Sequence, residues 1–95
     1  MGIEKAPHRG IGWTAADWLS GTIMGMVDEP SAVRVDIEEQ AGGVLFRVKV
    51  APGDLGKVIG KQGRTARALR TLLGCRGMTD GAGRYALDLE EGGPR

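Results

Sequence analysis

A chain of 95 residues has the size of one small domain, with a thin core and little room for a large active site. Its 13 Lys and Arg against 12 Asp and Glu leave a net charge of +1, so bulk charge alone names no partner. The single Cys75 excludes an internal disulfide and fits a reducing compartment. No stretch approaches the roughly 20 apolar residues of a membrane span, and MGIEKAPHRGIGW holds no signal-peptide core. The expectation is a single cytoplasmic globular domain.

Residues 1–12, with Pro7 and no periodicity, read as a flexible tail. Thr14-Ala15-Ala16-Asp17 reads as a capping box, with Trp13 and Trp18 at the positions of a hydrophobic staple. Apolar residues recurring every four positions predict an amphipathic helix over 14–28, weakened by Gly21 and Gly25 and ended by Pro30. Val33, Val35 and Ile37 alternate with Arg34, Asp36 and Glu38, and Val44, Phe46, Val48 and Val50 continue the alternation beyond a turn over 39–43. These are two strands of an antiparallel hairpin. Leu55, Val58 and Ile59 take helical spacing for about two turns. Ala66, Leu69 and Leu73 mark the buried face of another helix, which Gly74 and Gly77 should end or fray. Tyr85, Leu87 and Leu89 form a last strand, and 92–95 reads as a second tail.

The order is α-β-β-α-α-β, and the domain should occupy 13–91. A three-stranded sheet covered on one face by three helices is the α+β packing that suits it.

Charge is unevenly distributed. Between Leu55 and Thr79 lie Lys57, Lys61, Arg64, Arg67, Arg70 and Arg76 and no acid, a run of +6. The remaining seven bases and twelve acids sum to −5. On a helical wheel Arg64, Arg67 and Arg70 lie together, away from the apolar face. A solvated helix face is the plain reading of such a stripe. Missing counter-charges and an adjoining glycine turn favour a phosphate-binding surface instead.

The turn is Gly60-Lys61-Gln62-Gly63 within KVIGKQGR. A P-loop needs four residues between its glycines, where Gly56 and Gly60 have three, and a Ser or Thr after the lysine, where Gln62 stands. A dinucleotide fingerprint needs different glycine spacing and a strand before it. Both fail here. A G-x-x-G turn between two helices is the signature of the KH domain, whose loop clamps about four nucleotides. Glycine without Cβ lets the backbone approach a sugar-phosphate chain, and a helix starting at Arg64 offers unpaired N–H groups to it. The candidate nucleic-acid contacts are Lys57, Ile59, Gly60, Lys61, Gln62, Gly63, Arg64 and Arg67, with Ile59 flooring the groove for the bases.

On these residues the sequence resembles the KhpA family, small bacterial single-domain KH proteins. APGDLGKVIGKQGRTARALRTLL, preceded by MVDEPSAVRV, carries the resemblance, which covers roughly residues 13–91. The resemblance implies the type II KH fold and a cytoplasmic protein that binds single-stranded RNA. It implies a post-transcriptional regulator or RNA chaperone linked to cell growth, division and cell shape. It also implies a homodimer, or a heterodimer with a KhpB (Jag-like) KH protein.

Other chemistry finds little footing. His8 and Cys75 are single residues far apart, which disfavours both metal binding and a Cys–His nucleophile. Cys75 reads as a partly buried small apolar residue. The carboxylates form no pair in an apolar setting, so no enzyme activity and no cofactor are expected. Trp13 and Trp18 could stack on bases, but their staple positions favour core packing. Ala68, Leu72 and Cys75 form a third, exposed stripe on the arginine-bearing helix, a candidate dimer interface. Two functions remain: an RNA clamp, or an adaptor that works mainly by pairing with another KH protein.

Overall fold

The computed structural model describes residues 12–92. Apart from Gly12 and Gly92, the tails expected at 1–12 and 92–95, and His8 with them, lie outside the described residues. Three helices and three strands follow in the predicted order: α1 (Trp13–Met24), β1 (Arg34–Gln40), β2 (Gly43–Val50), α2 (Leu55–Ile59), α3 (Arg64–Asp80) and β3 (Arg84–Glu91). The sheet runs β1-β2-β3. β1 and β2 pair antiparallel across the turn Ala41-Gly42, with Val35 opposite Val48 and Ile37 opposite Phe46. β3 lies parallel to β2, with Leu87 beside Phe46. A parallel neighbour needs a crossover, and α2 and α3 supply it.

Central β2 turns Val44, Phe46, Val48 and Val50 to the helix layer, all buried. Leu19 and Ile23 of α1, Val58 of α2, Leu69 and Leu73 of α3, and Tyr85 and Leu87 of β3 complete the core. Phe46 and Tyr85 meet edge to face with centroids 4.9 Å apart, the arrangement that ring quadrupoles favour. Each fully buried aliphatic or aromatic side chain contributes about 1.5–3 kcal/mol, so this small set carries most of the favourable burial. The other sheet face is polar. Arg47 sits at its centre, 3.3 Å from Glu38 and 3.9 Å from Asp88.

Several local expectations need correction. α1 begins at Trp13 with Gly12 as its N-cap residue, left-handed at φ 88°, and no side chain caps it. Thr14 therefore lies inside the first turn, and the Thr14–Asp17 box is not formed. The chain enters so close to Phe46 that a Cβ on Gly12 would stand 3.1 Å from its ring, which fixes the start one residue early. Trp13 and Trp18 are exposed rather than stapled into the core. α1 also stops at Met24, and Pro30 opens a short 3₁₀ turn, Pro30–Ala32. Ile37, on the edge strand, is exposed. It lies next to Gly12, where the cover of α1 runs out.

α3 does not end at Gly74 or Gly77 but continues to Asp80. A Cβ on Gly77 would come 2.7 Å from the Gly83 carbonyl oxygen and 3.0 Å from Cγ of Tyr85. That glycine is a close-packing position which lets the end of α3 lie directly on β3. The stop comes from Gly81, left-handed at φ 67°, with the Ala82 N–H donating to the Gly77 carbonyl, a Schellman arrangement. Cys75 is exposed on this helix, not partly buried.

Candidate nucleic-acid interface

The junction between α2 and α3 is built almost wholly from backbone that side chains disfavour. Gly60 adopts φ 80°, ψ 174°, Gln62 φ 57°, ψ 24°, and Gly63 φ 74°, ψ 13°. The two glycines serve different ends. A Cβ on Gly60 would stand 2.3 Å from Oγ1 and 2.7 Å from Cβ of Thr65, whereas a Cβ on Gly63 would meet nothing within 4 Å. Gly60 is packed inward and Gly63 faces open space. Thr65, which the sequence did not single out, is the residue that fills the place of the missing Cβ at Gly60. Its only sequence signal is a β-branched hydroxyl residue in the first turn of a helix.

Gly63 is also the N-cap residue of α3, and no side-chain cap is present. The positive end of a 17-residue helix thus opens onto the turn, a setting that favours anions. Lys61, Arg64, Arg67 and Arg70 are exposed around it. The Arg64 Nη2 donates to Oε1 of Gln62 at 3.1 Å. Among the described residues, no carboxylate lies within ion-pair distance of any of these four cations.

Two of the six cations in the basic run stand apart. Lys57 Nζ lies 3.3 Å from Asp28 and 3.5 Å from Asp54. The hydrogen bond and charge of Asp28 raise its pKa above the ordinary lysine value, with Asp54 adding to the effect. Asp54 is itself buried and accepts the Glu29 N–H at 3.1 Å, tying the connection after α1 to the start of α2. Two residues along a helix is more than half a turn, so Lys57 points away from Ile59. Ile59 shares its side of α2 with the exposed Gly56. Arg76 donates to Asp80 at 3.2 Å, and the Tyr85 hydroxyl donates to the other oxygen of Asp80 at 2.7 Å. Burial first, and then the bond to Asp80, push the Tyr85 phenol up to about 12. It therefore remains a donor at ordinary pH. The structure brings together Ile59, Gly60, Lys61, Gln62, Gly63, Arg64 and Arg67, and turns Lys57 toward carboxylates.

The remaining flank of α3 differs in character. Ala68, Leu72 and Cys75 are all exposed, Leu72 at 54%. Leu72, Cys75, Arg76 and Thr79 line a groove against Trp18 of α1. Arg70 and Leu72 lie roughly 160° apart around the helix, while Arg64, at its start, shares a side with Cys75 about three turns on. No group of three or more His, Cys, Asp or Glu among the described residues could hold a metal ion. No helix among them is long and apolar enough to cross a membrane.

A family model described as KhpA/KhpB, KH domain matches residues 17–89. RNA-binding protein KhpA of Streptomyces coelicolor is 49% identical over 59 residues, covering 62% of this chain and 75% of that protein. The protein of the same name from Mycobacterium tuberculosis is 51% identical over 57 residues, covering 60% and 71%. That from Chlamydia trachomatis is 39% identical over 57 residues, covering 60% and 73%. No solved structure matches this chain.

Proposed function

We propose a function from one premise: the chain belongs to the KhpA family of KH-domain proteins. It binds single-stranded RNA, which runs across the Gly60–Gly63 turn with its phosphates against Lys61, Arg64 and Arg67 and its bases toward Ile59. The observation that carries this reading is the turn itself. Its open glycine leads into an uncapped helix start ringed by cations without acid partners. The relatives' shared name, RNA-binding protein KhpA, supports RNA as the nucleic acid. A footprint this small gives a weak clamp that exchanges readily, which suits an RNA chaperone or a post-transcriptional regulator.

Salt tests this reading. With Lys57 held by its carboxylates, about three phosphate contacts remain. Log K for a short single-stranded RNA should then fall with log salt at a slope of roughly −2 per protomer. A slope near zero would show that the basic flank is not the RNA surface.

A second reading, pairing with another KH protein or another copy, rests on the exposed Leu72 beside the Trp18 groove. A chain this short gains core by association, and two-fold dimers are the commonest outcome. Two weak clamps on one particle would also gain avidity. The expected result is a dimer that Leu72→Glu dissociates, read by light scattering over a concentration series. A parent that stays monomeric at high concentration refutes the homodimer. A variant that stays dimeric refutes this flank as its interface.

A further inference from the structure

Gln62 is the one residue other than glycine with positive φ among the described residues. Left-handed backbone is disfavoured for every side chain, and Asn or Asp tolerates it better than Gln does. Five other positions at turns and helix ends with positive φ, Gly12, Gly42, Gly53, Gly81 and Gly83, are glycines, so glycine at 62 would be the easy solution. A strained residue at a functional turn invites the question of what its side chain does there.

Here the side chain has a definite partner: its Oε1 accepts from Nη2 of Arg64 at 3.1 Å. Residues two apart do not face each other on a helix. Left-handed conformations at both Gln62 and Gly63 bring these two side chains to one side. An asparagine would suit the backbone better but is one methylene shorter.

We propose that Gln62 is a positioning residue for Arg64, fixing its guanidinium over the mouth of the turn before RNA arrives. This inference rests on the RNA-clamp reading above. A free arginine at the first position of a helix samples many rotamers, and ordering it on binding costs affinity. The bond to Gln62 uses one guanidinium N–H of five, so the others stay available to a phosphate. Uncharged glutamine holds the arginine without neutralising it, which a carboxylate at the same position would do.

The test is a double-mutant cycle, with binding of a labelled mixed-sequence single-stranded RNA followed by fluorescence anisotropy. Arg64→Ala should weaken binding about tenfold or more, the usual loss for a hydrogen-bonded charged group. Gln62→Ala should weaken it about threefold to tenfold in the parent and not at all in the Arg64→Ala background. Gln62→Gly separates this role from a structural one. It relieves the backbone, so thermal stability should rise, yet RNA binding should fall as it does in Gln62→Ala. If Gln62→Gly binds as tightly as the parent, the positioning role is overturned. Equal losses from Gln62→Ala in both backgrounds also overturn it, since Gln62 would then act on its own. If Arg64→Ala leaves affinity unchanged, the clamp reading and the positioning role both fall.

Discussion

In the variant carrying Lys61→Asp and Gln62→Asp, RNA binding is expected to weaken on the order of a hundredfold or more, with the fold intact. One positive charge becomes negative and one neutral side chain becomes negative, both where a phosphate backbone is expected to lie. Both side chains are exposed, and neither residue belongs to the core. Aspartate also accepts the left-handed backbone at position 62 at least as well as glutamine does. The thermal midpoint should therefore stay within about 4 °C of the parent, the shift typical of a surface substitution in a domain this small. A folded double variant that binds RNA as well as the parent would remove the turn from the interface altogether.

The second large effect separates the two glycines of the same turn. Gly60→Ala should destabilise the protein by about 3 kcal/mol, adding a strained backbone at φ 80°, ψ 174° to an overlap with Thr65. Gly63→Ala meets no neighbour within 4 Å, so only the left-handed backbone counts, about 1 kcal/mol. Urea titration of the two variants measures the difference. Equal costs would mean that Thr65 yields freely and that Gly60 is not a packing position. RNA binding should nonetheless suffer in both, because the added methyl at position 63 stands in the space that a nucleotide backbone would use.

The architecture was legible in the sequence wherever a period was long enough to count. The alternation through Val44, Phe46, Val48 and Val50 gave the central strand, and Ala66, Leu69 and Leu73 gave the face of α3. Two of the misreadings share one physical cause, which is that glycine is ambiguous. Gly77 looked like a helix stop and is a contact surface against Gly83 and Tyr85. Gly12 looked like tail and is the N-cap residue of α1, set against Phe46. In both cases the deciding neighbour is distant in sequence, so no local pattern could reveal it. The candidate site followed the same division. Its glycines, lysine and arginines could be read from spacing and charge. The Gln62–Arg64 bond and the Thr65 contact depend on backbone angles, and the withdrawal of Lys57 depends on Asp28, which lies in the connection after α1.

The withdrawn lysine also bears on how the turn moves. α2 is five residues long, far short of the roughly 12–15 at which a helix begins to hold itself in water. It stands because Val58 is buried in the core, and beside it Asp54 grips the Glu29 N–H from 25 residues away and Lys57 reaches across to Asp28. Mechanically, then, the turn is anchored to the connection between α1 and β1 as much as to its own neighbours. These two stretches, remote along the chain, form a single opening unit, and their amide protons should gain and lose protection from solvent exchange together.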